Sequence, residues 1–143
     1  MSEETPIYGN EPTYIVEPPN SRGMTLNEYQ RRAMTTCMDS CDNFSYMMLN
    51  LVGEVGEFAS KVAKHIRKEK AEIVDNRLCD RADEMLTRND IADLRKEAGD
   101  CLWQLAGLCK VMGWTLEEVA RENLAKLADR KARGVIDSDG DNR

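Results

Sequence analysis

Four carboxylates in two i,i+3 pairs define the chemistry this chain is equipped to do. Glu54 and Glu57 stand in Gly53-Glu54-Val55-Gly56-Glu57, and Glu97 and Asp100 in Glu97-Ala98-Gly99-Asp100. Residues three apart on a helix are surface neighbours, so each pair presents two acids side by side. The second pair leads into Cys101-Leu102-Trp103-Gln104-Leu105-Ala106-Gly107-Leu108-Cys109, whose one polar side chain is Gln104. A helix that apolar is expected to be buried on almost every side. Acids at its mouth are costly unless paired, hydrogen-bonded or bound to metal, and the sequence beside them offers few fixed cations. Oxygen donors converging from two helices suit a hard cation such as Mg²⁺ or Mn²⁺. The competing reading is a solvated acidic face, with Glu97 paired to Lys96 or Arg95 across water.

The elements that must position these acids read as helices. Asp42 or Asn43 can cap a long helix running to about Lys70, with an apolar stripe of Met48, Leu51, Val52, Val55, Phe58, Val62 and Ile66. At 100° per residue Glu54 falls roughly 80–90° from the centre of that stripe, on its flank. Gly53 and Gly56 each cost roughly 1 kcal/mol in a helix interior, which points to a packing helix or a ligand approaching the backbone. A further helix, capped by Asn89 or Asp90 and ending at Gly113, carries Glu97, Asp100 and Gln104 within about 60° of one another as its polar seam. Thr25-Leu26-Asn27-Glu28 and Thr115-Leu116-Glu117-Glu118 have capping-box spacing and open a first and a last helix. The last runs through Val119, Leu124 and Leu127 to Gly134.

Residues 1–24 hold all four prolines and read as an extended or flexible N-terminal arm. The folded domain is placed at 25–136, and 137–143 form a polar tail. Within the domain, 67–92 is a charged, weakly periodic stretch, expected to be a short extra helix or a mobile excursion. No segment alternates long enough to read as a strand. Trp103 and Trp114 read first as packing residues, while Tyr29, Gln30, Phe44 and Tyr46 are further candidates to touch a flat aromatic ligand.

The chain has 143 residues, enough for one domain with a real core. Its net charge of −6 argues against a nucleic-acid partner, since phosphate backbones are bound by clustered Lys and Arg. No apolar run is long enough for a membrane span and no signal-peptide core is evident, so a cytoplasmic protein without membrane partners is expected. The five cysteines lack CxxC pairing and sit with a single histidine; reduced thiols fit that pattern better than a disulfide framework.

In these residues the chain resembles the MazG-like all-α nucleoside triphosphate pyrophosphohydrolases, whose signature is ExxE on one helix and ExxD on the next. Glu54-Val55-Gly56-Glu57 and Glu97-Ala98-Gly99-Asp100 match it, as do the flanking Glu57-Phe58-Ala59 and Asp100-Cys101-Leu102-Trp103. Asn123-Leu124-Ala125-Lys126-Leu127-Ala128-Asp129-Arg130 is similar to the family's Asn-x-x-Lys-Leu-x-x-Arg. The resemblance covers residue 25 to about 136 and implies a helical bundle in which the ExxE and ExxD helices face each other. It implies Mg²⁺ held by Glu54, Glu57, Glu97 and Asp100, with Glu54 or Glu57 orienting or deprotonating a water. It also implies a polyphosphate bound by Lys126 and Arg130 with Asn123 in support, and conversion of a nucleoside triphosphate to monophosphate and pyrophosphate. The bland reading of Lys126 and Arg130 is that cations favour the C-terminal half of a helix. The ExxE-to-ExxD connection is longer than the family's usual one, by the stretch at 67–92.

So apolar a helix in a bundle of three or four leaves surface for a second copy, so a homodimer or homotetramer is expected. The alternatives are a nucleotide-binding or regulatory protein of the same fold without catalysis, and a structural helical adaptor. A di-iron carboxylate bundle would need Glu-x-x-His pairs, and His65 does not stand three residues after any of these acids.

Overall fold

A computed structural model of the protein describes residues 23–81 and 85–136. The expected arm, up to residue 22, and the tail at 137–143 lie outside the described residues. The chain forms helix α1 (Leu26–Ala33) with a 3₁₀ turn at Met34–Thr36, then α2 (Phe44–Arg67), strands β1 (Ala71–Val74) and β2 (Arg77–Asp80), α3 (Arg88–Val111) and α4 (Leu116–Arg133). No helix among the described residues is long and apolar enough to cross a membrane. All five cysteines are free.

Side-chain caps set the helix starts. Thr25, Asn43, Thr87 and Thr115 each accept a backbone N–H three residues on, satisfying a donor the first turn leaves orphaned. Asn43 settles the start of α2. The start of α3 departs from expectation by two or three residues: Thr87, not Asn89 or Asp90, is the cap, and Asp90 is its reciprocal partner in the capping box. Gly113, at φ 75°, turns the chain from α3 into α4, a conformation that costs glycine nothing.

The main packing unit is the antiparallel pair α2 and α3. Lys61 meets Glu97 at one end, and Met47 meets Gly107 at the other. A Cβ at residue 107 would lie 2.3 Å from the Met47 sulfur, so glycine is what lets the fully buried Met47 seat there. α1 lies across the far end of this pair, against α3 and α4. Gln30 fastens that corner: its Nε2 donates to the carbonyls of Ala106 and Trp114, and its Oε1 accepts the Leu116 N–H. Trp103 Nε1 donates to the Ala33 carbonyl and to Thr36 Oγ1, holding the end of α1. Ala106, Cys109 and Leu116 form the small core between these elements.

Two expectations are corrected. Where the stretch at 67–92 was expected to hold a short extra helix or no strand, its described residues hold a two-stranded antiparallel hairpin pairing Ala71 with Asp80 and Val74 with Arg77. Asp75 and Asn76 form its two-residue turn, both at positive φ as a type I′ turn demands. Asx residues tolerate that region, so no glycine is required.

The second correction concerns the faces of α2 and α3. The helical wheel puts Met47, Glu54, Phe58 and Lys61 within about 30° of one direction, and this direction faces α3. The centre of the apolar stripe is thus rotated roughly 80° away from the intrachain contact. Val52 is 69 % exposed and Val55 56 %. On α3, Leu102 and Leu105 also remain exposed, so the helix is not buried on almost every side within one chain.

Candidate metal centre

Because α2 presents its polar flank to α3, its acids meet those of the ExxD motif. One oxygen each from Glu54, Glu57 and Glu97 lie within 4.8 Å of one another. Glu57 is exposed, Glu54 half-buried and Glu97 buried. Asp100 stands at the rim, exposed, close enough that its charge acts on both Glu54 and Tyr29. Burial first, then the charges of Asp100 and Glu57, push the Glu54 carboxyl above its ordinary range. Asn50, one turn earlier on α2, works against that by donating to Glu54 Oε1 at 2.8 Å. Burial and the same Asp100 charge raise the Tyr29 phenol.

The acid cluster is met by a cation. Lys61 Nζ donates to Glu97 Oε1 at 2.5 Å, and this bond is the main reason the lysine's pKa rises. The partner of Glu97 comes from α2, across the interface, and is not its sequence neighbour Lys96 or Arg95. Lys96 bonds Asp93 at 2.8 Å instead. The side-chain set fits a hard divalent cation. It supplies three carboxylate oxygens at chelating separation, all oxygen donors, in a cleft between two rigid helices.

One turn further along the interface, Gln104 continues the seam and is almost fully buried, and its Oε1 has no hydrogen-bond partner among the described residues. Beside it, the Tyr46 phenol is raised first by a hydrogen bond with Cys41 and then by burial, with Gln104 opposing. Gln30, a candidate base contact by sequence, has both ends of its amide engaged in the α1–α3–α4 corner. Trp103 is likewise tied to α1, whereas Trp114 stays half-exposed.

The cationic helix is placed differently. α4 rests on α1 and α3 and does not pack on α2. Asn123 and Lys126 are exposed and Arg130 half-buried. Within one chain, then, the structure gathers Glu54, Glu57 and Glu97 with Asp100 at the edge, and no packing brings α4 against the ExxE helix. Sequence reasoning missed Asn50 and Lys61 as parts of the site. Both stand four residues from an acid of the ExxE pair, the spacing at which helical side chains meet.

A pair of long antiparallel helices carries ExxE and ExxD toward each other, flanked by two further helices, so the fold is a helical bundle with an acidic cluster between its two longest helices. Residues 42–135 match the MazG nucleotide pyrophosphohydrolase domain, and the chain belongs to that family. It is also 39 % identical over 127 residues to the Gene 37 protein of Mycobacterium phage L5, covering 84 % of this chain and 100 % of that one. No solved structure matches the chain.

Proposed function

We propose that this protein is a Mg²⁺-dependent pyrophosphohydrolase that converts a ribo- or deoxyribonucleoside triphosphate to its monophosphate and pyrophosphate in the cytoplasm. The observation that carries the reading is the convergence of Glu54, Glu57 and Glu97 from two helices to within 4.8 Å, inside a MazG domain. Glu54, Glu57, Glu97 and Asp100 would hold the metal, with Mn²⁺ as a substitute. A divalent ion there supplies charge neutralisation for the phosphates and a more acidic water. Glu54 or Glu57 orients or deprotonates the water that attacks the α-phosphorus; Asn50 fixes the rotamer of Glu54, which favours a defined geometry there. Lys126 and Arg130, supported by Asn123, bind the polyphosphate.

The active form in this reading is a homodimer or homotetramer. The exposed apolar face of α2, with Leu49 76 % exposed beside Val52 and Val55, is what a second copy would cover. Light scattering on the purified protein tests this, and a monomer unaffected by Val52→Lys would discard it.

The test of function is a turnover panel with Mg²⁺ and the eight common nucleoside triphosphates plus guanosine tetraphosphate, run beside Asp100→Asn. Monophosphate and pyrophosphate from the parent protein alone support the reading. Silence across the panel, with binding retained, favours the non-catalytic alternative.

A further inference from the structure

Glu97 is 6 % exposed, the most buried of the four acids, and a carboxylate so placed must be balanced by a positive charge. Its nearest neighbours in sequence do not supply one: Lys96 is committed to Asp93, and Arg95 is exposed. Lys61 does, at 2.5 Å from Oε1. The other charges named as acting on this ammonium, from Asp93 and Glu57, are negative as well.

Glu97 is also one of the three acids whose oxygens cluster. A divalent ion shared by that cluster and an ammonium on Glu97 would be two like charges on one carboxylate, a repulsive arrangement in a half-buried cleft. Lys61 is able to leave. Its side chain is 37 % exposed and carries its charge on a flexible four-carbon stem. It stands one turn after Glu57 on the same helix, so its reach covers the mouth of the site.

We propose that Lys61 is a built-in cation that competes with the divalent metal for Glu97 and that metal binding frees its ammonium for the anionic substrate. The inference rests on reading the acid cluster as a metal centre, and it assigns Lys61 two positions. On Glu97 it keeps the carboxylates from repelling each other apart. Released, it adds a mobile positive charge for a polyphosphate beside the fixed acids. Apparent metal affinity is thereby lowered by the strength of the internal ion pair, as for any competitor bound to the same group.

Titration calorimetry with Mg²⁺, paired with thermal melting in chelator and in Mg²⁺, tests this on the parent protein, Lys61→Met and Lys61→Gln. Both variants should melt lower in chelator and bind Mg²⁺ about tenfold more tightly, the size of a modest coupling between two ligands. Their rise in melting temperature on adding Mg²⁺ should exceed that of the parent protein. In a Glu97→Gln background, Lys61→Met should no longer lower the melting temperature in chelator. Unchanged or weaker Mg²⁺ binding in both variants would overturn the proposal, making Lys61 a support that stays on Glu97. So would the absence of metal binding in all three proteins. Turnover enters separately: metal binding that tightens as described, without hydrolysis of any nucleotide, removes the proposed activity and leaves the competition standing.

Discussion

Around residues 106–109 α3 meets Met47, Gln30 and Leu116 in a corner that is apolar and has its polar groups paired. Two to three turns earlier the same helix helps gather carboxylates around Lys61. At the first end, the Gln30 amide spans three backbone groups and Gly107 leaves room for the Met47 side chain. At the second, Glu54 is raised by burial and by its acidic neighbours, so the folded chain holds charges it would hold more easily unfolded. Lys110 and Asp42, bonded at 2.7 Å, clamp the relaxed end a second time. The difference teaches where stability resides. Met47 against Gly107, with Asp42 bonded to Lys110, holds the start of α2 on α3, and that packing keeps the acids of the two helices together. Substitutions at the two ends should therefore part company, one set lowering stability and the other abolishing function.

The largest effect is expected at the strained end, and on activity. Asp100→Asn or Glu54→Gln should lower turnover more than about 100-fold, since even residues that only support a metal ligand cost 10–100-fold. Their melting temperatures in chelator should hold or rise, because each removes one of several crowded like charges. A variant that lost activity and melted much lower would erase the contrast between the ends. Met47→Ala probes the relaxed end: it empties a fully buried site and should cost about 2–5 kcal/mol by denaturant unfolding. Gln30→Ala comes next, at about 1–3 kcal/mol, because it leaves the buried Leu116 N–H without its acceptor. Activity per folded molecule should survive both, which a nucleotide assay normalised to folded fraction would check.

Much of this arrangement was legible in the residues. The ExxE and ExxD spacings located the acids, and the Thr, Asn and Asp capping positions located the helix starts to within two or three residues. The orientation of α2 was not legible. Its apolar stripe is real, but periodicity reports only that a face is apolar, not which neighbour covers it. Inside one chain the contact goes instead to the flank carrying Glu54 and Lys61. The hairpin escaped because each strand has four residues and its turn, Asp75-Asn76, lacks the glycine that marks most such turns. The Lys61–Glu97 bond spans 36 positions and depends on the register of two helices, which no local pattern encodes. The fit between Gly107 and Met47 is hidden for the same reason.

The smallest effect belongs to the link between the hairpin and the acid-bearing helix, and it is read by pH. Asp90 Oδ2 accepts from the Thr87 N–H and hydroxyl at 2.9 Å and from Lys70 Nζ at 3.4 Å, tying the start of α3 to the residue before β1. The two Thr87 bonds, more than the lysine, hold its pKa down at about 2 against an ordinary 3.8. A folded-state pKa below the unfolded one means the unfolded chain takes up the proton first. The stabilisation is then complete above pH 3.8 and drains away as pH falls through about 2. Asp90→Asn should cost about 1 kcal/mol at neutral pH, the usual worth of a helix cap, which is roughly 3 °C in melting temperature for a chain this size. The gap between parent and variant should close on acidification across that window, where other carboxylates titrate equally in both. A gap that persisted at pH 2 would show that Asp90 acts through packing rather than charge. A gap of several kcal/mol would make the hairpin junction a third region as decisive for the fold as the Gln30 corner.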